Sequence, residues 1–174
     1  MRTTLRINYD TVAHLYDGQP FREKTVDPEL VTFIAQRTFP NRPSILDIAC
    51  GTGSELVANR SVVPDARLVG LDRSLGMLRQ AQTKLGDIAW VQADAAMLPF
   101  QPECFDFISC QFAFHHILDK SLTLRAVIER FFDAAGVSSC AISVHRSALT
   151  GSIMNISRRL TLSTLRISGL RKRS

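Results

Sequence analysis

The chain lacks the features that mark membrane and secreted proteins. None of its apolar runs approaches the roughly 18 residues that a membrane span requires, and its first residues contain no apolar stretch of the signal-peptide kind. Its four cysteines have neither CxxC nor metal-ligand spacing: Cys50, Cys104, Cys110 and Cys140. We therefore expect a reduced, cytoplasmic protein with no metal site and no membrane partner.

An excess of charge of one sign is also missing from most of the chain. The net charge is +5, but residues 1–127 contain 13 lysines and arginines against 14 aspartates and glutamates. Residues 128–174 contain eight against two, so the whole basic excess lies in the last 47 residues. We expect no nucleic-acid partner for the main part of the chain, and the basic tail needs a separate explanation.

The most informative segment is the run ILDIACGTG, from Ile45 to Gly53. Apolar residues around Asp47 indicate a buried strand, and the glycines that follow indicate a tight turn into a helix. Gly51 and Gly53 can adopt positive φ, and their missing Cβ atoms let a ligand lie against the backbone. The carboxylate of Asp47 is expected beside that ligand.

Apolar periodicity in this 174-residue chain predicts a single domain in which strands and helices alternate. A helical region is predicted over 9–38, with a helix start at Asp27-Pro28. The predicted strands are 45–49, 67–71, 88–92 and 105–110, and further helices are predicted from residue 54 and over 75–85 and 121–130. This alternation predicts an α/β fold with a doubly wound, mostly parallel sheet.

Acidic residues lie at or near the ends of three predicted strands: Asp47, Asp72 and Asp94. Ligands of such sheets bind outside the carboxyl ends of the strands, where the strand order reverses. An aspartate at this position also commonly caps the next helix, and for any one of the three that explanation is equally good. Three carboxylates at one sheet edge together indicate a binding site.

Over about residues 9–127 the chain resembles the class I S-adenosylmethionine-dependent methyltransferases that act on small molecules. Four segments carry the resemblance, in the family's order and spacing: ILDIACGTG, VGLDRSLGML, VQADAAMLPF and FDFISCQFAFHHI. The resemblance implies a Rossmann-like sheet, S-adenosylmethionine as the cofactor and a small-molecule methyl acceptor as the partner.

The same resemblance implies a role for each matching position. The turn Ala49–Gly53 would pass under the methionine part of the cofactor, and Asp72 would accept both ribose hydroxyls. Asp94 would bind the adenine amino group, and the amide of Ala95 would serve a ring nitrogen. The implied walls of the adenine and ribose site are Leu71, Arg73, Met97 and Phe112.

Two further implications concern the edges of the cofactor site. Tyr9 and Tyr16 lie in an N-terminal helix that closes over the cofactor and substrate in similar enzymes. Ala49 departs from the family, which usually has glycine there, so its methyl group is expected to crowd the methionine end.

Methyl transfer needs little chemistry from the protein, because the sulfonium is already activated and alignment supplies most of the rate. His115 and His116 follow the fourth strand and are weak candidates for a general base, because packed or solvated loop histidines without that role are the more common case. The competing function is a nicotinamide-dependent oxidoreductase, for which Asp72 would suit the ribose. Leu56 stands where the third glycine of that fingerprint belongs, and the oxidoreductase gives Asp94 no role.

The sequence divides into three parts: an N-terminal helical cap over 1–40, a cofactor-binding domain over 41–127 and an atypical basic tail over 128–174. The family continues with a Gly-Gly turn and three strands, whereas this tail is rich in serine, threonine and arginine. We hypothesise a reading-frame shift between Val127 and Arg130. In the shifted frame Met154-Asn155 must encode glutamate, and the flanking codons can spell a family-like segment.

A shifted tail would remove the normal C-terminal strands, leave an exposed strand edge and weaken both cofactor affinity and activity. Residues Gly136–Val144 alternate enough to form a replacement fifth strand. Two alternatives remain open: the chain is a non-catalytic methyltransferase remnant, or the tail is genuine and binds acidic partners.

Overall fold

The computed structural model describes residues 7–19, 24–111, 122–123 and 127, and the backbone of 141–145. Its strands are β1 (Ser44–Ile48), β2 (Arg67–Asp72), β3 (Ala89–Gln92), β4 (Phe107–Gln111) and β5 (Ala141–His145). Its helices are α1 (Tyr9–Tyr16), α2 (Pro28–Ala35), α3 (Ser54–Asn59) and α4 (Leu75–Gln82).

The five strands form one parallel sheet in the order β3-β2-β1-β4-β5. The order runs outward from β1 in one direction through β2 and β3, and in the other through β4 and β5. The point of reversal therefore lies between β1 and β4, which is where such sheets open a crevice for ligands. The predicted α/β fold with a parallel sheet is confirmed.

Both faces of the sheet are covered, which explains why its strands read as nearly continuous apolar runs. Ile45 packs on one face against α2 and α3, in a cluster with Leu30, Leu56 and Phe107. The next residue, Leu46, points to the other face and packs in a second cluster. The other buried members of that second cluster are Ile48, Val69, Leu71, Leu98, Phe105, Ile108, Cys110 and Val127.

The element boundaries differ from the sequence prediction at a few ends. The region predicted to be helical over 9–38 contains two helices, and the start at Asp27-Pro28 is confirmed because the Asp27 side chain accepts from the backbone N–H of Glu29 at 2.9 Å. Strand β1 ends at Ile48, because Ala49 has a φ of +58° and cannot continue extended backbone. Helix α4 ends at Gln82, earlier than predicted.

The C-terminal region contributes one described strand. β5 pairs in parallel with β4, with Ile142 opposite Ile108. It overlaps the replacement strand predicted over 136–144, and the rest of the basic tail lies outside the described residues. Within the described part of the chain, no helix is long and apolar enough to cross a membrane.

Candidate cofactor site

The turn after β1, over 49–53, contains three residues whose backbone lies in the left-handed region. Ala49, Gly51 and Gly53 have φ values of +58°, +56° and +72°. The N–H of Gly53 donates to the carbonyl of Cys50 at 2.9 Å and closes the turn, and the N–H of Cys50 donates to the carbonyl of Leu71 at 3.0 Å. The turn therefore has a fixed shape that is tied to β2, and the two glycines adopt the positive φ that the sequence predicts.

Trp90, on β3, supports this turn from below. A Cβ atom at Gly53 would lie 2.3 Å from the indole, and one at Gly70 would lie 2.6 Å from it. A Cβ atom at Gly51 would meet no described atom within 4 Å. Gly53 and Gly70 thus make room for Trp90, whereas Gly51 leaves open the side on which a ligand can approach.

Asp72 joins the first two loops of the sheet edge. Its Oδ2 accepts from the N–H of Gly51 at 2.8 Å, and its Oδ1 accepts from the N–H of Ser74 at 2.8 Å. Burial raises the pKa of Asp72, although the hydrogen bonds from Ser74 and Gly51 oppose that rise. The carboxylate is held in one orientation at the carboxyl end of β2.

Asp94 follows β3 and is exposed at the same edge. Its Oδ1 accepts from the N–H of Ala96 at 2.9 Å, and its carbonyl accepts from the N–H of Met97 at 2.9 Å. The N–H of Ala93 donates to the carbonyl of Asp72 at 3.1 Å, which links this loop to the preceding one. Asp72 and Asp94 therefore lie on adjacent, connected loops.

The residues implied as walls of the site differ in their exposure. Met97 is 77% exposed, and Arg73 is also exposed. Leu71 is buried and packs in the core. Ala95 is partly buried against the same core, next to Asp94. Phe112, His115 and His116 lie outside the described residues.

Asp47 does not share the exposure of Asp94. It is 2% exposed, and its Oδ1 accepts from the hydroxyl of Ser109 at 3.0 Å. Burial raises the pKa of Asp47 to about 7, against the hydrogen bond from Ser109, and the carboxylates of Asp27 and Asp72 add to the rise. Asp47 is thus buried in the central strand, whereas the sequence led us to expect its carboxylate beside the ligand.

The buried polar neighbours of Asp47 were not among the residues predicted from the sequence. Glu55 lies on α3, and burial together with Asp47 and Asp27 raises its pKa well above the ordinary range. Asn59, one helical turn further on, accepts from the N–H of Asp27 at 2.9 Å. The signal for them is the four-residue spacing of two polar residues on the inward face of α3.

Two side-chain contacts that the sequence did not predict hold α1 in place. The carboxylate of Asp10 accepts from the N–H of Gly76 at 2.7 Å, and Asp17 forms an ion pair with Lys84 at 2.7 Å. These contacts place Tyr9 and Tyr16, with ring centroids 6.4 Å apart, on a helix beside the sheet edge. Among the described residues, no group of three or more histidines, cysteines, aspartates or glutamates is arranged to hold a metal ion.

Comparison with known proteins identifies the family. Residues 45–135, which include the turn after β1, Asp72 and Asp94, match the methyltransferase domain. The chain is 34% identical over 111 residues to the carboxy-S-adenosyl-L-methionine synthase of Helicobacter pylori strain HPAG1, covering 59% of this chain and 43% of that enzyme. It is 35% identical over 85 residues to the demethylmenaquinone methyltransferase of Thermotoga maritima, covering 49% and 37%. The chain therefore spans about two fifths of the length of these relatives.

Solved structures share the fold. A methyltransferase of Haloferax volcanii, in complex with the Trm112 methyltransferase activator, has a TM-score of 0.57 at 23% identity over 72% of this chain and 56% of that one. A methyltransferase of Aquifex aeolicus that depends on S-adenosylmethionine has a TM-score of 0.54 at 21% identity over 72% and 67%. The chain belongs to the class I S-adenosylmethionine-dependent methyltransferase family.

Proposed function

We propose that the carboxyl edge of this sheet binds S-adenosylmethionine for methyl transfer to a small-molecule acceptor. The observation that carries the proposal is the carboxylate of Asp72, which the N–H groups of Gly51 and Ser74 hold at the end of β2. A carboxylate oxygen accepts about two hydrogen bonds, so each oxygen keeps an acceptor site after binding its backbone donor. Two such oxygens suit the adjacent hydroxyls of a ribose.

The neighbouring loops fit the two ends of the cofactor. In the proposal Asp94 and the amide of Ala95 bind the adenine ring, and the exposed Met97 and Arg73 flank it. The glycine turn faces the methionine end, since a Cβ atom at Gly51 would meet no described atom within 4 Å. Phe112 is assigned to the adenine site by the family resemblance.

The protein's part in the reaction is to bind and align. When bound, S-adenosylmethionine supplies an activated methyl group, which the acceptor's nucleophilic atom takes as the carbon–sulfur bond breaks. The turn Ala49–Gly53 and Asp72 fix the cofactor, and alignment of this kind supplies most of the acceleration. In the proposal, Tyr9 and Tyr16 on α1 exclude water from the edge. If the nucleophilic atom of the acceptor is protonated, a general base must remove that proton. His115 and His116 remain the candidates for this base.

The acceptor class rests on the relatives. One relative is a demethylmenaquinone methyltransferase, whose acceptor is a small molecule, and we extend that class to this chain. The nicotinamide-dependent alternative has no support in the matched family.

The tail carries a second part of the proposal. We propose that the reading frame shifts between about Val127 and Arg130, so that the residues after this point are out of frame. Such a shift would reduce both cofactor affinity and activity. The abrupt rise in basic residues over 128–174 supports this. The family match continues to residue 135, past the proposed shift, and is evidence against it. The pairing of β5 with β4 favours the alternative of a genuine tail. The gene's nucleotide sequence tests the proposal: stop codons or an unrelated product in the shifted frame would refute it.

Calorimetric titration tests the cofactor assignment. We expect the purified chain to bind S-adenosylmethionine and not NAD, because Leu56 stands where the third glycine of the NAD-binding fingerprint belongs and that fingerprint gives Asp94 no role. A turnover assay that follows formation of the demethylated cofactor then separates an active enzyme from a non-catalytic remnant. Binding of NAD alone would contradict the proposed function.

A further inference from the structure

Helix α1 carries the same dipeptide at both ends. Tyr9-Asp10 stands at its start and Tyr16-Asp17 at its end, seven residues apart. Seven residues make nearly two helical turns, so the two aspartates lie on one side of the helix. The tyrosines repeat in the same way, and their rings meet edge to face. The spacing thus gives α1 one surface with a carboxylate at each end.

The first carboxylate binds the start of α4. Oδ1 of Asp10 accepts from the hydroxyl of Ser74 at 2.8 Å and from the N–H of Gly76 at 2.7 Å. Gly76 lies in the first turn of α4, where a backbone N–H has no partner within its own helix. The hydrogen bonds from Gly76 and Ser74 hold the pKa of Asp10 below its ordinary value, so the group is ionised at neutral pH. Asp10 therefore acts as a remote cap of α4.

The backbone of α1 rests directly on this helix start. A Cβ atom at Gly76 would lie 2.7 Å from the carbonyl oxygen of Asp10 and 2.8 Å from its Cα. These neighbours are backbone atoms, which cannot turn aside as a flexible side chain would. The absence of a side chain at Gly76 is what allows α1 to lie this close.

The second carboxylate binds the glycine turn. Oδ1 of Asp17 accepts from the hydroxyl of Thr52 at 2.5 Å, and Oδ2 lies 2.7 Å from the ammonium of Lys84. Lys84 also donates to the hydroxyl of Ser54 at 2.6 Å. Thr52 is buried and stands between Gly51 and Gly53. Burial acts to raise the pKa of Asp17, but the hydrogen bonds from Lys84 and Thr52 outweigh it and leave the pKa below its ordinary value.

We propose that Asp10 and Asp17 are positioning residues, which anchor α1 to the loops after β1 and β2 and thereby set the affinity of the cofactor site. The inference rests on the proposed function. Ser74 also donates its N–H to Asp72, and Thr52 lies within the turn that faces the ligand. A change in the docking of α1 is therefore transmitted to the two loops that bind the cofactor. Because both anchors stabilise one docked state, their losses are not independent.

The experiment combines amide hydrogen exchange of the ligand-free protein with calorimetric titration of S-adenosylmethionine. The variants are Asp10→Ala, Asp17→Ala and the double variant, with Asp65→Ala as the control at an exposed loop aspartate. We expect the α1 amides to exchange about tenfold faster in each single variant, and the dissociation constant to rise about five- to tenfold. The double variant is expected to weaken binding by less than the product of the single effects. Asp65→Ala should leave both quantities within about twofold of the wild type.

A glycine pair separates docking from general stability. Gly76→Ala adds a better helix former to α4, which by itself stabilises a helix, yet its Cβ would displace α1. Gly86→Ala is the control, because its Cβ would meet no described atom within 4 Å. We expect faster exchange in α1 and weaker binding for Gly76→Ala, and neither change for Gly86→Ala.

Two outcomes would overturn the inference. Unchanged exchange of α1 in Asp10→Ala and Asp17→Ala would show that the carboxylates do not hold the helix. Faster exchange with an unchanged dissociation constant would show that the helix does not affect the cofactor site. Failure of the wild type to bind S-adenosylmethionine would instead contradict the proposed function, while the exchange data would still decide the anchoring.

Discussion

The backbone N–H of Gly51 donates to Oδ2 of Asp72 across 2.8 Å. One residue belongs to the turn after β1 and the other to the end of β2, and 21 positions separate them in sequence. The bond makes the glycine turn and the ribose-binding candidate one unit. A ligand group that binds the Asp72 carboxylate therefore also affects the glycine turn.

Ala49→Gly is expected to stabilise the protein. A residue with a Cβ loses about 1–2 kcal/mol at a left-handed φ, and Ala49 has a φ of +58°. The greater freedom of glycine in the unfolded chain offsets about 0.5–1 kcal/mol of this gain, so the unfolding free energy rises by about 0.5–1 kcal/mol in total. Urea unfolding measures it. Ala58→Gly, inside α3, is the control and should lose about 1 kcal/mol; a loss at both positions would contradict the strain at Ala49.

Gly53→Ala and Gly51→Ala are expected to differ sharply. Both glycines have positive φ, so each alanine costs about 1–2 kcal/mol in backbone strain. At Gly53 the new Cβ would also lie 2.3 Å from the indole of Trp90, which adds an overpacking cost of about 1–3 kcal/mol. The difference between the two unfolding free energies isolates the contact with Trp90. Equal losses of unfolding free energy in the two variants would mean that the indole of Trp90 moves aside at no cost.

Unfolding free energy is expected to fall as pH rises towards 7. The pKa of Asp47 is raised from an unfolded value near 3.8 to about 7, so the folded state binds the proton more tightly. The stabilisation that Asp47 contributes is fully present below its pKa in the unfolded state. It is lost progressively as the pH rises through its pKa in the folded state. Burial is the main cause of the raised pKa of Asp47; the charges of Asp27 and Asp72 add to it, and the hydrogen bond from Ser109 opposes it.

Urea unfolding between pH 5 and 8 tests this pH dependence, because the lowered pKa values of Asp10 and Asp17 keep those groups ionised across that range. Asp47→Asn should flatten the profile, and Glu55 leaves a residual slope of the same sign. A profile as steep in Asp47→Asn as in the wild type would contradict the assignment to Asp47.

Arg60→Ala is expected to destabilise the link between α3 and β2. The guanidinium donates to the carbonyls of Ala66 at 2.7 Å and Pro64 at 3.0 Å, and it pairs with Asp87 at 2.7 Å. Loss of these charge-assisted contacts, of which the one to Ala66 is partly buried, costs about 1–3 kcal/mol. Asp87→Ala separates the two contributions, because Asp87 is 62% exposed and an exposed pair is worth less than about 1 kcal/mol. Equal costs in thermal unfolding would show that the ion pair, not the carbonyls, holds Arg60.

The sheet and the position of its glycine turn could be predicted because they depend on local sequence. Strand residues such as Leu46 and Val69 lie in apolar runs bounded by glycine or aspartate, and Gly51 and Gly53 mark a turn. Trp90 packs where an added Cβ atom at Gly53 or Gly70 would clash with its indole. The family resemblance is confirmed as well.

What could not be predicted depends on contacts between distant residues. Asp10 binds Ser74 across 64 positions of sequence, and nothing near Asp10 announces that partner. The burial of Asp47 likewise depends on Ser109, which is 62 positions away. Three acidic strand ends look alike in sequence, and only the packing of α3 and β4 separates Asp47 from Asp72.

The most direct test of the cofactor site is the affinity for S-adenosylmethionine of the wild type, Asp72→Ala and Asp65→Ala, followed by tryptophan emission. Trp90 is the single tryptophan of the chain and lies against Gly53, so binding at the turn should change its emission. Loss of a charge-assisted bidentate contact is expected to weaken binding about 10- to 100-fold in Asp72→Ala, and Asp65→Ala should match the wild type. Equal affinity in all three proteins would contradict the assignment of the ribose to Asp72 and with it the proposed site.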